Sequence, residues 1–137
     1  MDTGYLIMNI SKKLKYDLNH TLLEKGVTVQ QWAVIQQLSQ TSSLTAVDLV
    51  QILDMDKPTI SGIVQRLEKK GLLTKNKHPS DKRAYLLSLT ESGKESLEEC
   101  KKISEEVVEE YLAVLTVQEK KQLNQLLTKI NEDKREQ

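Results

Sequence analysis

The sequence has one cysteine, no phenylalanine and no net charge, with 20 Lys+Arg set against 20 Asp+Glu in 137 residues. A single cysteine, Cys100, cannot form an intramolecular disulfide, which excludes a stapled secreted scaffold. The two histidines, His20 and His78, and that cysteine are too few and too scattered for a metal-ligand pattern, so no metal site is expected. The first residues, MDTGYLIMNISKK, lack a charged lead-in followed by a sustained apolar stretch, and no signal peptide is expected. The longest charge-free run, Gly26 to Val47, has 22 residues, of which 11 are Gln, Ser or Thr. A bilayer core does not accept so many polar side chains, so no membrane span or membrane partner follows. There is no Gly-rich phosphate loop, no G-x-S-x-G, and no Cys/His pair with a supporting acid. The expectation is a soluble cytoplasmic domain that is not an enzyme and needs no cofactor.

The zero total charge hides a segregation. Residues 57–83 carry eight basic side chains (Lys57, Arg66, Lys69, Lys70, Lys75, Lys77, Lys82, Arg83) against Glu68 and Asp81, a net of +6. The flanking segments are both acidic, at −2 for residues 1–56 and −4 for residues 84–137. A basic block within an acidic chain points to a local polyanion contact, with a merely solvated surface as the plain alternative.

Hydrophobic spacing reads as helix almost throughout. Ile7, Ile10, Leu14, Leu18 and Leu22 recur at steps of three or four, predicting a long amphipathic helix over residues ~5–24, stopped at Gly26. Thr28 is placed to cap a second helix carrying Trp32, Ile35 and Leu38, which the polar stretch Gln40 to Ser43 ends. Thr45 to Asp48 is a capping box for a short helix with Ala46, Leu49, Val50 and Leu53 on one face. Asp56-Lys57-Pro58 opens the next, with the proline in the first turn. Its buried stripe is Ile60, Ile63, Val64 and Leu67, and Gly71 ends it. Pro58, Ser61, Gly62 and Gln65 occupy the opposite face, which is small and polar.

The period then changes to two. Leu73–Lys77 and Ala84–Leu89 read as short strands joined by a polar turn, His78 to Arg83. Thr90 caps a long helix with stripe Leu97, Cys100, Ile103, Val107, Tyr111 and Val114. Thr116 to Glu119 is a further capping box, opening a last helix with Leu123, Leu126, Leu127 and Ile130. The tail, Asn131 to Gln137, is expected to fray.

Two short helices in tight succession followed by a basic hairpin make a winged helix-turn-helix, whose second helix fits the DNA major groove while the hairpin reaches a neighbouring minor groove. The fold class is therefore mainly α with a small β wing. At this point the chain resembles the MarR (multiple antibiotic resistance regulator) family of bacterial transcription factors. The stretch Asp81-Lys82-Arg83-Ala84-Tyr85-Leu86-Leu87-Ser88-Leu89-Thr90-Glu91-Ser92-Gly93 fits the family's D-x-R … L-T-x-x-G wing signature. Thr59-Ile60-Ser61 through Arg66-Leu67-Glu68-Lys69-Lys70-Gly71-Leu72 is similar to its recognition helix, and Thr28 through Leu38 to its second helix.

The resemblance implies one MarR-like domain over residues 1–137, with a DNA-reading part at 28–90. Helical dimerisation parts would occupy 1–26 and 91–137. It implies a homodimer on a pseudo-palindromic duplex operator. Arg83 would be the minor-groove arginine, oriented by a charged hydrogen bond from Asp81. Lys57, Pro58, Thr59, Ser61, Gly62, Gln65 and Arg66 would face the major groove or its flanking phosphates, and Lys75, Lys77 and Lys82 would neutralise phosphate. Family members often carry a long polar or basic side chain where this chain has Gly62, so base readout here would rest on Ser61, Gln65 and the wing.

The family often binds small phenolic or anionic effectors between its dimerisation and DNA-reading parts. Tyr16, His20 and Trp32 are the candidates to line such a pocket, with ordinary core packing as the alternative; without phenylalanine, the rest of any cavity is aliphatic. Some relatives sense peroxide through a thiol in their first helix. Cys100 instead lies on the apolar stripe after the wing, where packing is the simpler role. His78 reads as a turn residue or phosphate contact. The rival function is a protein-interaction module on the same fold that regulates another transcription factor without binding DNA.

Overall fold

The computed structural model describes residues 1–41 and 43–135. Six helices and one hairpin follow one another: α1 (Thr3–Leu23), α2 (Val29–Gln40), α3 (Ala46–Leu53), α4 (Lys57–Lys69), β1 (Leu73–Lys77), β2 (Tyr85–Leu89), α5 (Glu91–Leu112) and α6 (Val117–Arg135). The chain falls into two compact units, residues 1–104 and 105–137.

Each helix begins where a short polar side chain answers its unpaired N–H groups. The Tyr5 N–H donates to Asp2 Oδ1 at 2.7 Å, so α1 starts two residues earlier than its apolar spacing suggests. Thr28 and Gln31 form a reciprocal capping box, at 3.0 and 3.2 Å, and Thr45 and Asp48 form another, at 3.2 and 2.9 Å. The Thr59 N–H donates to Asp56 Oδ1 at 2.7 Å, with Pro58 in the same first turn. Gly93 donates its N–H to Thr90 Oγ1 at 3.0 Å, opening α5. Thr116 and Glu119 box the start of α6 at 2.9 and 3.1 Å.

Between α3 and α4 the chain turns tightly through Asp54, which takes a left-handed φ of 51°. At the exit of α4, Gly71 has φ +77°, the Leu72 N–H donates to Leu67 O, and the Gly71 N–H donates to Glu68 O, each at 2.9 Å. This Schellman turn aims the chain directly into β1.

β1 and β2 pair antiparallel, with Leu73 opposite Leu89 and Lys77 opposite Tyr85. The second strand begins one residue later than expected, because the Ala84 N–H is spent on Asp81 O within the hairpin turn, at 3.2 Å. The hairpin is also tied to the segment before α3. Leu87 donates its N–H to Leu44 O at 2.8 Å, so wing and helix-turn-helix share a backbone bridge.

The core of the first unit gathers Val34, Ile35 and Leu38 of α2, Leu49 of α3, the whole Ile60–Ile63–Val64–Leu67 stripe of α4, Leu73 and Leu87 of the wing, and Cys100 of α5. Only the last turns of α1 join it, through Leu18 and Leu22, whereas Ile7 and Ile10 stay half exposed. In the second unit, Lys120 donates to Glu109, while Leu126, Leu127 and Ile130 of α6 are exposed. The tail departs from expectation: Asn131 to Arg135 continue α6, and Glu136 and Gln137 lie outside the described residues, as does Ser42 of the polar stretch after α2.

Candidate nucleic-acid interface

Burial of the α4 apolar stripe leaves the opposite side of that helix in solvent. Lys57, Pro58, Ser61, Gln65 and Arg66 are exposed, and Thr59 is half-buried beside them. Facing this side across a groove of about 500 Å³ stand the wing residues Lys75, Asp81 and Arg83, with Lys57, Ser61 and Gln65 on the helix wall. Six of the twelve residues placed on the DNA-facing surface thus line one concavity. Lys77 and Lys82 are exposed on the hairpin alongside it.

One feature of the wing differs from the sequence reading, and a second selects between its alternatives. Asp81 accepts a hydrogen bond from the backbone N–H of Arg83, at 3.0 Å, not from its guanidinium. It sets the turn from which Arg83 projects and leaves that side chain exposed. His78 is the second turn-former. Its Nδ1 accepts the N–H groups of Ser80 and Asp81, at 3.1 and 3.0 Å, which fixes it as an acceptor and holds the hairpin tip. Of the two roles considered for His78, the turn role is the one observed.

The basic block is not uniformly free. Lys75 lies 3.6 Å from Glu68 at the end of α4, a solvent-screened pair that binding phosphate can outcompete. Lys70 turns away from the groove and donates to Gly26 O and, at 3.1 Å, to Gln31 Oε1. The groove also contains residues not singled out for DNA contact from the sequence: Thr45, Ala46 and Val47 at the start of α3, and Tyr85 at the start of β2. Only the period-2 alternation of β2 signalled Tyr85, since it shares the face of Leu87.

The effector candidates are separated in character. Tyr16 and His20 meet edge to face, with ring centroids 4.8 Å apart, on the exposed side of α1. Trp32 is 4% exposed and belongs to the core. Cys100 is fully buried and burial pushes its thiol pKa up, which disfavours the reactive thiolate. Among the described residues no group of three or more His, Cys, Asp or Glu is placed to hold a metal ion, and no helix is long and apolar enough to cross a membrane.

A helix-turn-helix whose second helix exposes a polar face beside a basic hairpin defines a winged-helix DNA-binding protein. Comparison narrows the class. The MarR family profile matches residues 25–84. The HTH-type transcriptional regulator FarR of Neisseria gonorrhoeae is 38% identical over 68% of this chain, which spans 62% of FarR. The multiple antibiotic resistance protein MarR of Salmonella typhimurium is 30% identical over 93% of this chain and 89% of its own length. Among solved structures, the C80S mutant of MarR from E. coli complexed with operator DNA superposes with a TM-score of 0.78 at 29% identity, covering 93% of this chain and 91% of that one. The chain belongs to the MarR family of transcriptional regulators, which are DNA-binding proteins and not enzymes.

Proposed function

We propose that this regulator acts as a cytoplasmic homodimer that binds a pseudo-palindromic operator and represses by occluding the promoter. The observation that carries the reading is the groove that unites Lys57, Ser61 and Gln65 of α4 with Lys75 and Arg83 of the wing. Major-groove and minor-groove elements are then presented side by side, with positive charge where phosphates pass. Residues 28–90 carry the reading head, and residues 1–26 and 91–137 carry dimerisation. The half-exposed Ile7 and Ile10 of α1 and the exposed Leu126, Leu127 and Ile130 of α6 support that division, since apolar surface of this kind is covered when a second copy binds.

Relief of repression is assigned to a small phenolic or anionic effector near Tyr16, His20 and Trp32 that changes the spacing of the two reading heads. The exposed Tyr16–His20 ring pair supports an aromatic contact there. Crystals with and without salicylate, a small phenolic anion, should differ in half-site separation; equal separations would dismiss the spacing mechanism.

Fluorescence anisotropy tests the DNA reading, using labelled duplex from this gene's own upstream region, a scrambled duplex, and Arg83→Ala protein. Binding at least ~10³-fold tighter to the upstream duplex, weakened by salt and by the substitution, is the expected result. No binding to either duplex at low salt overturns it in favour of the interaction module.

A further inference from the structure

Tyr85 is half solvent-exposed, at 50%, although it shares a strand face with buried Leu87. The register explains how. On that face Leu73 pairs with Leu89, Lys75 with Leu87, and Lys77 with Tyr85, so the face runs from core to open groove within five residues. Tyr85 is the point at which β2 leaves the core and becomes a wall of the groove opposite Ser61 and Gln65. Its aromatic ring is therefore set beside Lys77 across the strand pair, in a concavity that Lys57 and Arg83 also line.

An occupant of this groove is fixed by what flanks it. With α4 in a major groove and Arg83 in the adjacent minor groove, the ridge between them is one sugar–phosphate strand. We infer that Tyr85 is a DNA-contacting residue, its ring packing on deoxyribose and its hydroxyl donating to a phosphate of the strand that passes between α4 and the wing. This rests on the proposed DNA reading and adds a contact to it. The chemistry is that of an amphipathic side chain with an apolar body and a polar tip, at a boundary that offers the same pair of surfaces. Because phosphate carries no sequence information, Tyr85 contributes affinity equally on every duplex.

Anisotropy with Tyr85→Phe and Tyr85→Ala, on the upstream and scrambled duplexes, tests it. Tyr85→Phe is expected to weaken both complexes by about tenfold, the effect of one lost hydrogen bond to a charged group. Tyr85→Ala should weaken them further. The slope of log affinity against log salt should stay at the wild-type value, because no charge is removed, whereas Lys82→Ala should reduce it by about 1. Thermal melts of both variants should match wild type at this exposed site. Neutral methylphosphonate at the contacted position should erase the difference between Tyr85 and Phe. Binding by both variants within twofold of wild type, with Arg83→Ala impaired, overturns the Tyr85 contact alone. Failure of the wild-type protein to bind either duplex overturns it together with the DNA reading.

Discussion

Gly93 stands directly over the carbonyl of Leu72: a Cβ at Gly93 would lie 2.0 Å from that oxygen and 3.1 Å from its carbon. The contact belongs to a small knot. Thr90 donates its N–H to Leu72 O at 3.1 Å and its hydroxyl to Gly71 O at 2.6 Å, while accepting the Gly93 N–H. One threonine and one glycine thus lock the start of α5 against the turn between α4 and β1. This gives the L-T-x-x-G portion of the wing signature a physical cause.

Gly93→Ala should therefore destabilise the fold by about 3 kcal/mol, near the upper end of ordinary overpacking, because the obstacle is backbone and cannot rotate away. Urea denaturation checks it: the midpoint should fall with the slope unchanged. An unchanged midpoint would mean that α5 can shift freely at its first turn.

The hydrogen bonds from Thr59 hold the Asp56 carboxyl below the usual aspartate range. Since the folded value lies below the unfolded one, the cap's contribution is complete above the unfolded range and is lost as pH falls through the folded value. Amide exchange of Thr59, followed at acidic pH, should show protection failing in that window. Asp56→Asn, which caps without titrating, should flatten the profile.

Lys70 belongs to the basic block but is engaged inward with Gly26 and Gln31. Lys70→Met should cost about 1 kcal/mol of stability, the ordinary worth of such hydrogen bonds, and leave the salt slope of DNA binding unchanged. A fall in that slope comparable to that for Lys82→Ala would show that Lys70 swings out to meet phosphate.

Cys100 is fully enclosed, with its thiol pKa raised by burial. Thiol reagent at neutral pH should label it on the timescale of unfolding, accelerating steeply in denaturant, and mild peroxide should leave DNA affinity unaltered. Rapid labelling of the native protein would reopen a sensing role.

Much of the fold was legible because its determinants are local. The boxes at Thr45–Asp48 and Thr116–Glu119 are contacts between residues three apart, and the α4 stripe is one helical period repeated. The wing was legible through its change of period. What escaped was set by distance or by atom type. The bond from Lys70 to Gly26 joins positions 44 residues apart. Asp81 was recognised as an orienting residue, but sequence does not show that the backbone of Arg83, not its side chain, is what it grips. Tyr85 looked like a strand residue because alternation marks a face without marking where that face leaves the core. The groove itself became visible only when α3, α4 and the hairpin were placed together.

Gly62 leaves a vacancy in the middle of the polar α4 face. Apart from the helix's own backbone, the nearest neighbour of a Cβ there is Arg66 Nη1, at an unstrained 3.6 Å. The position is thus open to rewriting. A Cβ installed there meets only the end of the flexible Arg66 side chain, and leaving glycine gains helix propensity of up to about 1 kcal/mol. Asparagine would supply the bidentate pairing that favours adenine, and arginine the one that favours guanine. On the proposed DNA reading, a change at this one codon shifts operator preference by about 1–3 kcal/mol for the base pair it meets.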